Sequence, residues 1–364
     1  MYLKDQIITY MGNKRKFIPL IEKILDDVKL ELGKDRLILG DGFSGSGIVS
    51  RLMKNHASKL FVNDIAGYSY TLNQCYLSNN VNINQLEKVI EKANAYVAKS
   101  PVVPLWIQKY WAPLSDTDIK ETERVYYTQE NAYRIDAYRY YIDNMVSEEY
   151  KYYLLGRLIV EASIHTNTSG HFAAYYKKGT KGHYGGKNEI DINRITKSII
   201  LTLPLFSENQ CDMQISQTDT NEWVKNLPQL DLIYLDPPYN KHPYCIYYFL
   251  LDVINNWDMS VEIPDTTRGQ EKKWKTSDYN SYTRAKIAFR DLIKNIDAKF
   301  ILLSYNNGGL IDLDEITQIL SKKGKVMKIP VEHKTYNKLK GIANYKRVED
   351  KEDIKEFLWL VDCR

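Results

Sequence analysis

The sequence predicts an α/β fold: a Rossmann-like, mostly parallel sheet of seven strands, interrupted by a largely helical insert. Three observations predict it. Short apolar runs ending in Asp, Asn or Gly recur in the first and last thirds, each followed by a helical-looking segment, the alternation that builds a parallel sheet. Between about residue 80 and residue 211 this alternation stops and a tyrosine-dense, helical pattern replaces it. Two of the turns that follow apolar runs are unusual, one rich in glycine and one holding two prolines in series.

The first of the seven strands runs Arg36–Gly40, and the second runs Lys59–Asn63. Met213–Ser216, Asp231–Leu235 and Lys299–Ser304 supply three more, and a late pair near Val326–Ile329 and Phe357–Val361 completes the sheet. Residues 1–79 and 212–364 are thus expected to form one unit, with 80–211 inserted into it. The insert holds ten tyrosines between Tyr110 and Tyr153, for most of which core packing is the expected fate. Its later part, from His171 to Lys187, is rich in glycine and lysine and reads as an exposed loop or hairpin.

Composition narrows the class. At 364 residues, 44% hydrophobic and 26% charged, the chain suits a globular protein and excludes disordered and collagen-like ones. No apolar run is long enough to cross a bilayer, and Met1–Gln6 lacks the order of a secretory signal. Four dispersed cysteines, Cys75, Cys211, Cys245 and Cys363, form no metal-binding or disulfide pattern, so neither a metal nor a membrane partner is expected and a cytoplasmic location is. The net charge of +4 is mild, but it is unevenly spread. Nine Lys or Arg face four acids between Arg268 and Lys299, six face Glu332 alone between Lys328 and Arg347, and Lys177, Lys178 and Lys181 form a third patch. Such patches can neutralise phosphates, although a solvated surface accounts for many of them.

Three constellations carry chemistry. After the first strand, Gly40-Asp41-Gly-Phe43-Ser44-Gly45-Ser46-Gly47 leads into a helix beginning at Ile48, a turn whose glycines let a nucleotide-like ligand approach the backbone. Asp64 ends the next strand, where a carboxylate can accept hydrogen bonds from ribose hydroxyls. The turn lacks the Lys-Ser/Thr ending of a P-loop, and Asp41 would repel phosphate but suit an ammonium. Asp236-Pro237-Pro238-Tyr239 follows the fourth strand. The prolines offer no N–H, so the turn presents only acceptors, the Asp236 carboxylate and the Pro237 carbonyl, which together can take both N–H donors of an exocyclic amine. Tyr239 adds a ring on which an extruded base could stack. The third constellation, Tyr10-Met-Gly12-Asn13-Lys14, precedes an amphipathic helix, Phe17–Leu25, and could close over a ligand; helix capping is its plainer reading.

In content and linear order these motifs resemble the Dam-like, alpha-group N6-adenine DNA methyltransferases. That family runs an aromatic-x-Gly-x-Lys motif, then F-x-G-x-G, an acidic strand end, an inserted target-recognition domain and D-P-P-Y; here these are Tyr10–Lys14, Phe43–Gly47, Asp64, the insert and Asp236–Tyr239. The resemblance implies a Rossmann-like methyltransferase sheet, with S-adenosyl-L-methionine lined by Phe43, Ser44, Gly45, Ser46 and Gly47 and also met by Tyr10, Lys14, Asp41, Asp64 and Asp236. Asp219 stands where an acid meets the cofactor adenine, and Leu303–Asn306 where a strand end lies near the target base. It further implies base flipping in double-stranded DNA, no metal, and the modification role of a restriction-modification system with a separate endonuclease. DNA contacts are expected from Asn167, Lys177, Lys178, Lys181, His183, Tyr184 and Lys187 in the insert, and from Lys334, Tyr336, Asn337 and Lys338 downstream. The insert carries no recognisable wording of the family's recognition hairpin, so the DNA sequence read stays open. Two alternatives share the catalytic turn: an RNA N6-adenine methyltransferase, disfavoured by the large insert, and an N4-cytosine enzyme, which usually has Ser at the place of Asp236.

Overall fold

In the computed structural model, which describes residues 1–271, 276–331 and 355–364, one seven-stranded sheet organises the chain. Its strands are β1 (Leu37–Asp41), β2 (Ala57–Asn63), β3 (Asp212–Ser216), β4 (Leu230–Leu235), β5 (Ala298–Asn306), β6 (Lys325–Val331) and β7 (Glu356–Asp362). They lie in the order β3-β2-β1-β4-β5-β7-β6. β7 alone runs against its neighbours, antiparallel to both β5 and β6. The mostly parallel seven-stranded sheet expected from the sequence is the one observed; six strands extend by one or two residues at one or both ends, and β1 begins and ends one residue later than expected.

Alternation along the strands explains the layers. Leu232 and Tyr234 of β4 face a core shared with α1 (Ile18–Leu32) and α2 (Ile48–His56), whereas Ile233 and Leu235 face the opposite core. That second core is covered by α8 (Ala285–Asn295) and α9 (Leu313–Ser321). In α1 the buried residues Ile18, Ile21, Ile24, Leu25 and Val28 recur at helical spacing, and Pro19 sits in its first turn, where a missing N–H costs nothing.

The segment between the second and third strands forms α4 (Ile83–Ala98), α5 (Gln129–Met145) and α6 (Glu148–Ile164) after α3 (Gly67–Tyr76). Its core is continuous with α3 and with α7 (Phe249–Asn256). The tyrosines are largely structural. Tyr126, Tyr127 and Tyr138 are fully buried, and each hydroxyl donates to an oxygen of the chain: Phe172 O at 2.9 Å, Ala162 O at 3.0 Å and Asn94 Oδ1 at 2.6 Å. No helix among the described residues is long and apolar enough to cross a membrane.

Because β2 and β4 flank β1 on opposite sides, the connections leaving β1 and β4 diverge and open a crevice at their carboxyl ends. Asp41 pairs with Tyr234 across that junction, two residues before Asp236.

Candidate active site

The turn after β1 is tied down by its backbone. Gly42 N–H donates to Tyr234 O at 3.0 Å, Ser44 N–H to Asn63 O at 3.1 Å, and Gly47 N–H to Ser44 O at 2.8 Å. Gly45 has a left-handed φ of 51°, and a β-carbon there would lie 2.9 Å from the Tyr10 ring, so this position excludes a side chain twice over. Asp64 braces the turn: Oδ2 accepts from Gly45 N at 2.7 Å and Oδ1 from Ala66 N at 2.9 Å. Burial raises its pKa and these N–H bonds oppose the rise. Ser44 Oγ, held by Asn73 at 2.8 Å and facing Ser69 Oγ at 3.2 Å, is buried, as is Ser46.

Asp41 is completely buried. Ser50 Oγ donates to its Oδ2 at 2.5 Å, while Oδ1 makes no hydrogen bond of normal geometry among the described residues. Burial pushes this carboxyl up to about 7; Ser50 and the nearby Phe43 N–H lower it, and the charges of Asp64 and Asp236 raise it.

Asp236 follows the fully buried β4. Its Oδ2 meets the Lys14 ammonium at 2.9 Å, and its Oδ1 is buried with no hydrogen-bond partner among the described residues. Lys14 is 2% exposed and also donates to Gly12 O at 2.8 Å and to Glu356 Oε1 at 2.7 Å. Burial works against the charge on Lys14, but Asp236 and Glu356 outweigh it and hold the ammonium well above its ordinary range. For Asp236 burial raises the pKa to about 6, with Lys14 opposing and Glu356 adding to the rise. The Tyr239 carbonyl accepts from Leu310 N at 2.9 Å, and its ring meets Tyr305 edge-on at 5.7 Å. Gly12, at φ 71°, lets the N-terminal segment pass against the Tyr239 hydroxyl, where a β-carbon would sit at 2.6 Å.

Tyr10 packs face-on against both Tyr248, at 4.7 Å between ring centroids, and Tyr244, at 5.2 Å, which themselves lie 6.2 Å apart. The Met11 N–H donates to Tyr248 Oη at 2.7 Å, so the helix-forming stretch after the proline turn clamps the N-terminal segment over the glycines. Asp219 stands exposed beyond the end of β3, where its Oδ1 caps a short helix through Asn221 N at 2.9 Å. Thr220 beside it donates to Gly42 O at 2.9 Å, and Tyr279 meets Phe43 edge-on at 5.5 Å while donating to Asn221 Oδ1 at 2.8 Å. Asp219, Phe43 and Tyr279 thereby surround the outer end of the crevice.

The structure brings Tyr10, Lys14, Asp41, the Phe43–Gly47 turn, Asp64 and the Asp236–Tyr239 turn to one end of the sheet. Glu356, Tyr244 and Tyr248 join them without having been singled out in the sequence. Closely spaced tyrosines at 244, 247 and 248, soon after the proline turn, were an available signal for two of these. Glu356 had none, because its contact to Lys14 arises from the pairing of β7 with β5.

The residues expected at DNA divide. Lys177 and Lys178 pair with Lys181 and Gly182 in a small antiparallel ribbon, and all three lysines are exposed, as is Lys187; His183 is half-buried. Asn167 instead is completely buried, its Nδ2 donating to Val125 O at 2.8 Å and His183 O at 2.9 Å, with Oδ1 accepting from Gly185 N at 3.3 Å. Tyr184 is also buried, donating to Asp116 Oδ1 at 2.6 Å. These two side chains are spent on holding the ribbon's base, because a buried amide or phenol must find its partners inside the chain. Lys334, Tyr336, Asn337 and Lys338 lie outside the described residues. Among the described residues no His, Cys, Asp or Glu side chains gather as a metal site.

The family model of D12 class N6 adenine-specific DNA methyltransferases matches residues 10–319. The type II methyltransferase M.NlaIII of Neisseria lactamica is 28% identical over 90% of this chain and 92% of its own length. M.CviAII of Paramecium bursaria Chlorella virus 1, another type II methyltransferase, is 26% identical over 97% of this chain and 98% of its own. The modification methylase StsI of Streptococcus sanguinis is 28% identical over 97% of this chain, which spans 51% of that longer enzyme. With a family match running from Tyr10 in the N-terminal segment past the end of β5, the chain belongs to the D12 class of N6 adenine-specific DNA methyltransferases.

Proposed function

We propose that this enzyme uses S-adenosyl-L-methionine to methylate an adenine flipped out of a specific duplex site, with Asp236 and the Pro237 carbonyl holding the target amine. One observation carries the reading: among the described residues two enclosed carboxylate oxygens, Asp41 Oδ1 and Asp236 Oδ1, lack hydrogen-bond partners at the ends of adjacent parallel strands. Leaving such an atom unpaired costs roughly 1–3 kcal/mol, so each marks a place for a donor from outside the chain. The cofactor's ammonium suits Asp41, its ribose hydroxyls suit the remaining lone pairs of Asp64, and its adenine suits the space among Phe43, Asp219 and Tyr279. The cradle also fits, since Gly45 admits no side chain between the turn and Tyr10. When bound, S-adenosylmethionine supplies an electrophilic methyl group on a sulfonium.

The chain's own residues then orient the nucleophile. Asp236 Oδ1 and the Pro237 carbonyl take the two amine protons, which leaves the nitrogen lone pair free to face the methyl. Tyr239 offers a stacking face for the base, and Pro238 stiffens the turn. The segment 80–211 serves as the target-recognition domain and 1–79 with 212–364 as the catalytic one. In the target-recognition domain Lys177, Lys178, Lys181 and Lys187 meet phosphates, with His183 at the base of the ribbon. Lys334, Tyr336, Asn337 and Lys338 are assigned to DNA on sequence grounds. The relatives' names as type II methyltransferases and modification methylases support a modification role beside a separate endonuclease, in the cytoplasm of a prokaryote or of a phage-infected cell.

Incubation with methyl-labelled S-adenosylmethionine and unmethylated genomic DNA, then nucleoside analysis and mapping, tests the reading. N6-methyladenine confined to one short motif, and lost in Asp236→Ala, is the expected result. Near-normal turnover by Asp236→Ala overturns it.

A further inference from the structure

Glu356 belongs to none of the motifs that define the site. It lies on β7, opposite Asn306 of β5, and is 3% exposed. Its Oε1 receives the Lys14 ammonium at 2.7 Å and the Ser304 hydroxyl at 2.9 Å. An ammonium has three N–H donors. Those of Lys14 are spent on Gly12 O, Asp236 Oδ2 and Glu356 Oε1, so Lys14 is anchored from three sides and has none left for a ligand. One cation thus stands between the buried Glu356 carboxylate and that of Asp236, whose side chain is 20% exposed, and the cluster holds a surplus of one negative charge when all three are ionised. Were Glu356 neutral, Lys14 would cancel Asp236 outright, because buried charges are poorly screened.

We propose that Glu356 is a positioning residue for methyl transfer. By sharing the Lys14 ammonium it fixes Asp236 through Oδ2, keeps Oδ1 turned to the target amine, and leaves the site one net negative charge. The proposal rests on Asp236 being the acceptor of that amine. The charge has a use in the reaction. The nitrogen lone pair forms the N–C bond as the C–S bond breaks with its electrons to sulfur, and positive charge passes from sulfur to nitrogen until one N–H proton leaves to solvent. A neutral Lys14–Asp236 pair would stabilise the charge arriving on nitrogen far less than a net anion does.

Among the described residues Asp41 is a further carboxylate near this cluster, and the Glu356 variants leave it unchanged. The phenols of Tyr234, Tyr239 and Tyr244 are each pushed well up by burial and stay neutral, and Asp41, on the neighbouring strand, is bonded to Ser50. Glu356 raises the pKa of Asp236, against Lys14, which lowers it.

The test compares wild type, Glu356→Gln, Glu356→Asp and Asp236→Asn in the full chain by single-turnover methylation from pH 5 to 9, with thermal unfolding alongside. Glu356→Gln is expected to lose about tenfold in rate, the scale of one charge-assisted contact. Its acid limb should move to lower pH by about one unit, because Asp236 loses a like-charged neighbour and keeps Lys14 to itself. Glu356→Asp keeps the charge and so keeps the limb, while its shorter reach gives up part of the rate. A merely structural role would lower rate and melting temperature together and leave the limb in place, and an unmoved limb in Glu356→Gln overturns the proposal. Should Glu356→Gln not fold, Glu356→Asp carries the test, and an unaltered rate there overturns it. Asp236→Asn separates the two claims: if it is inactive beside an unmoved Glu356→Gln limb, only Glu356's role falls, whereas if it is active both fall.

Discussion

Replacing Asp41 by Asn should make the unliganded protein more stable and its hold on the methyl donor weaker. Asp41 is completely buried, Ser50 meets one oxygen, and the other makes no hydrogen bond of normal geometry among the described residues. Burial is the largest reason its pKa stands at about 7 rather than 3.8. A carboxyl raised in the folded state favours its protonated form there, so its contribution to stability is intact below about pH 4 and is lost as pH climbs to about 7. At about 1.4 kcal/mol per unit, the penalty at pH 8 is at most about 4 kcal/mol. Asn avoids the charge and can still accept from Ser50, but its amide N–H groups need acceptors, which returns about 1–3 kcal/mol. The net gain is about 1–3 kcal/mol at pH 8, a rise of several degrees in melting temperature for a chain of this size, and at pH 4, where no charge penalty is relieved, it turns into a loss of about 1–3 kcal/mol. The lost charge pairing should weaken S-adenosylmethionine binding by about 10- to 100-fold. Thermal unfolding at pH 5 and pH 8 without ligand, and calorimetric titration with S-adenosylmethionine, measure both sides. A lower melting temperature for Asp41→Asn at pH 8, or unchanged affinity, would refute the assignment of Oδ1 to the cofactor ammonium.

Protonation of Asp236 should silence the free enzyme, so kcat/KM is expected to fall as pH drops through about 6, where burial sets its pKa against Lys14; a profile flat to pH 5 contradicts this. Replacing Lys177, Lys178 and Lys181 together with Ala should reduce the salt dependence of DNA binding by roughly three in slope, each removed phosphate contact counting about 0.9, while the single-turnover rate on saturating DNA stays the same. Binding titrations between low and moderate salt read this directly, and an unchanged slope removes the ribbon from the interface. Asn167→Ala breaks two donated bonds and one accepted bond in the interior and should cost roughly 2–4 kcal/mol in stability by denaturant titration; a loss of DNA affinity at full stability would return Asn167 to the recognition surface.

What the sequence made legible follows the range of the interactions involved. Strand positions were readable because each strand's burial is written into its own apolar run, as in Leu230–Leu235, where every residue is buried. The two turns were readable for the same reason, since a glycine-rich or proline-locked turn states its backbone geometry locally. The insert was harder. Asn167 and Tyr184 sit in a polar, glycine-rich stretch that looks exposed, yet the ribbon they support needs interior polar partners, and a one-dimensional pattern does not separate the base of a hairpin from its tip. Lys14 was legible as a residue near the cofactor but not as the partner of Asp236, and Glu356 was not legible at all. Its place is fixed by the reversed last strand, whose antiparallel register with β5 sets Glu356 against Asn306 and within reach of Ser304. That reversal therefore has a chemical consequence. By bringing a carboxylate to the same end of the sheet as the carboxyl ends of the parallel strands, β7 supplies from its amino end a second anionic partner for Lys14 beside the Asp236 that follows β4, and the charge on that cluster depends on the one strand that runs the other way.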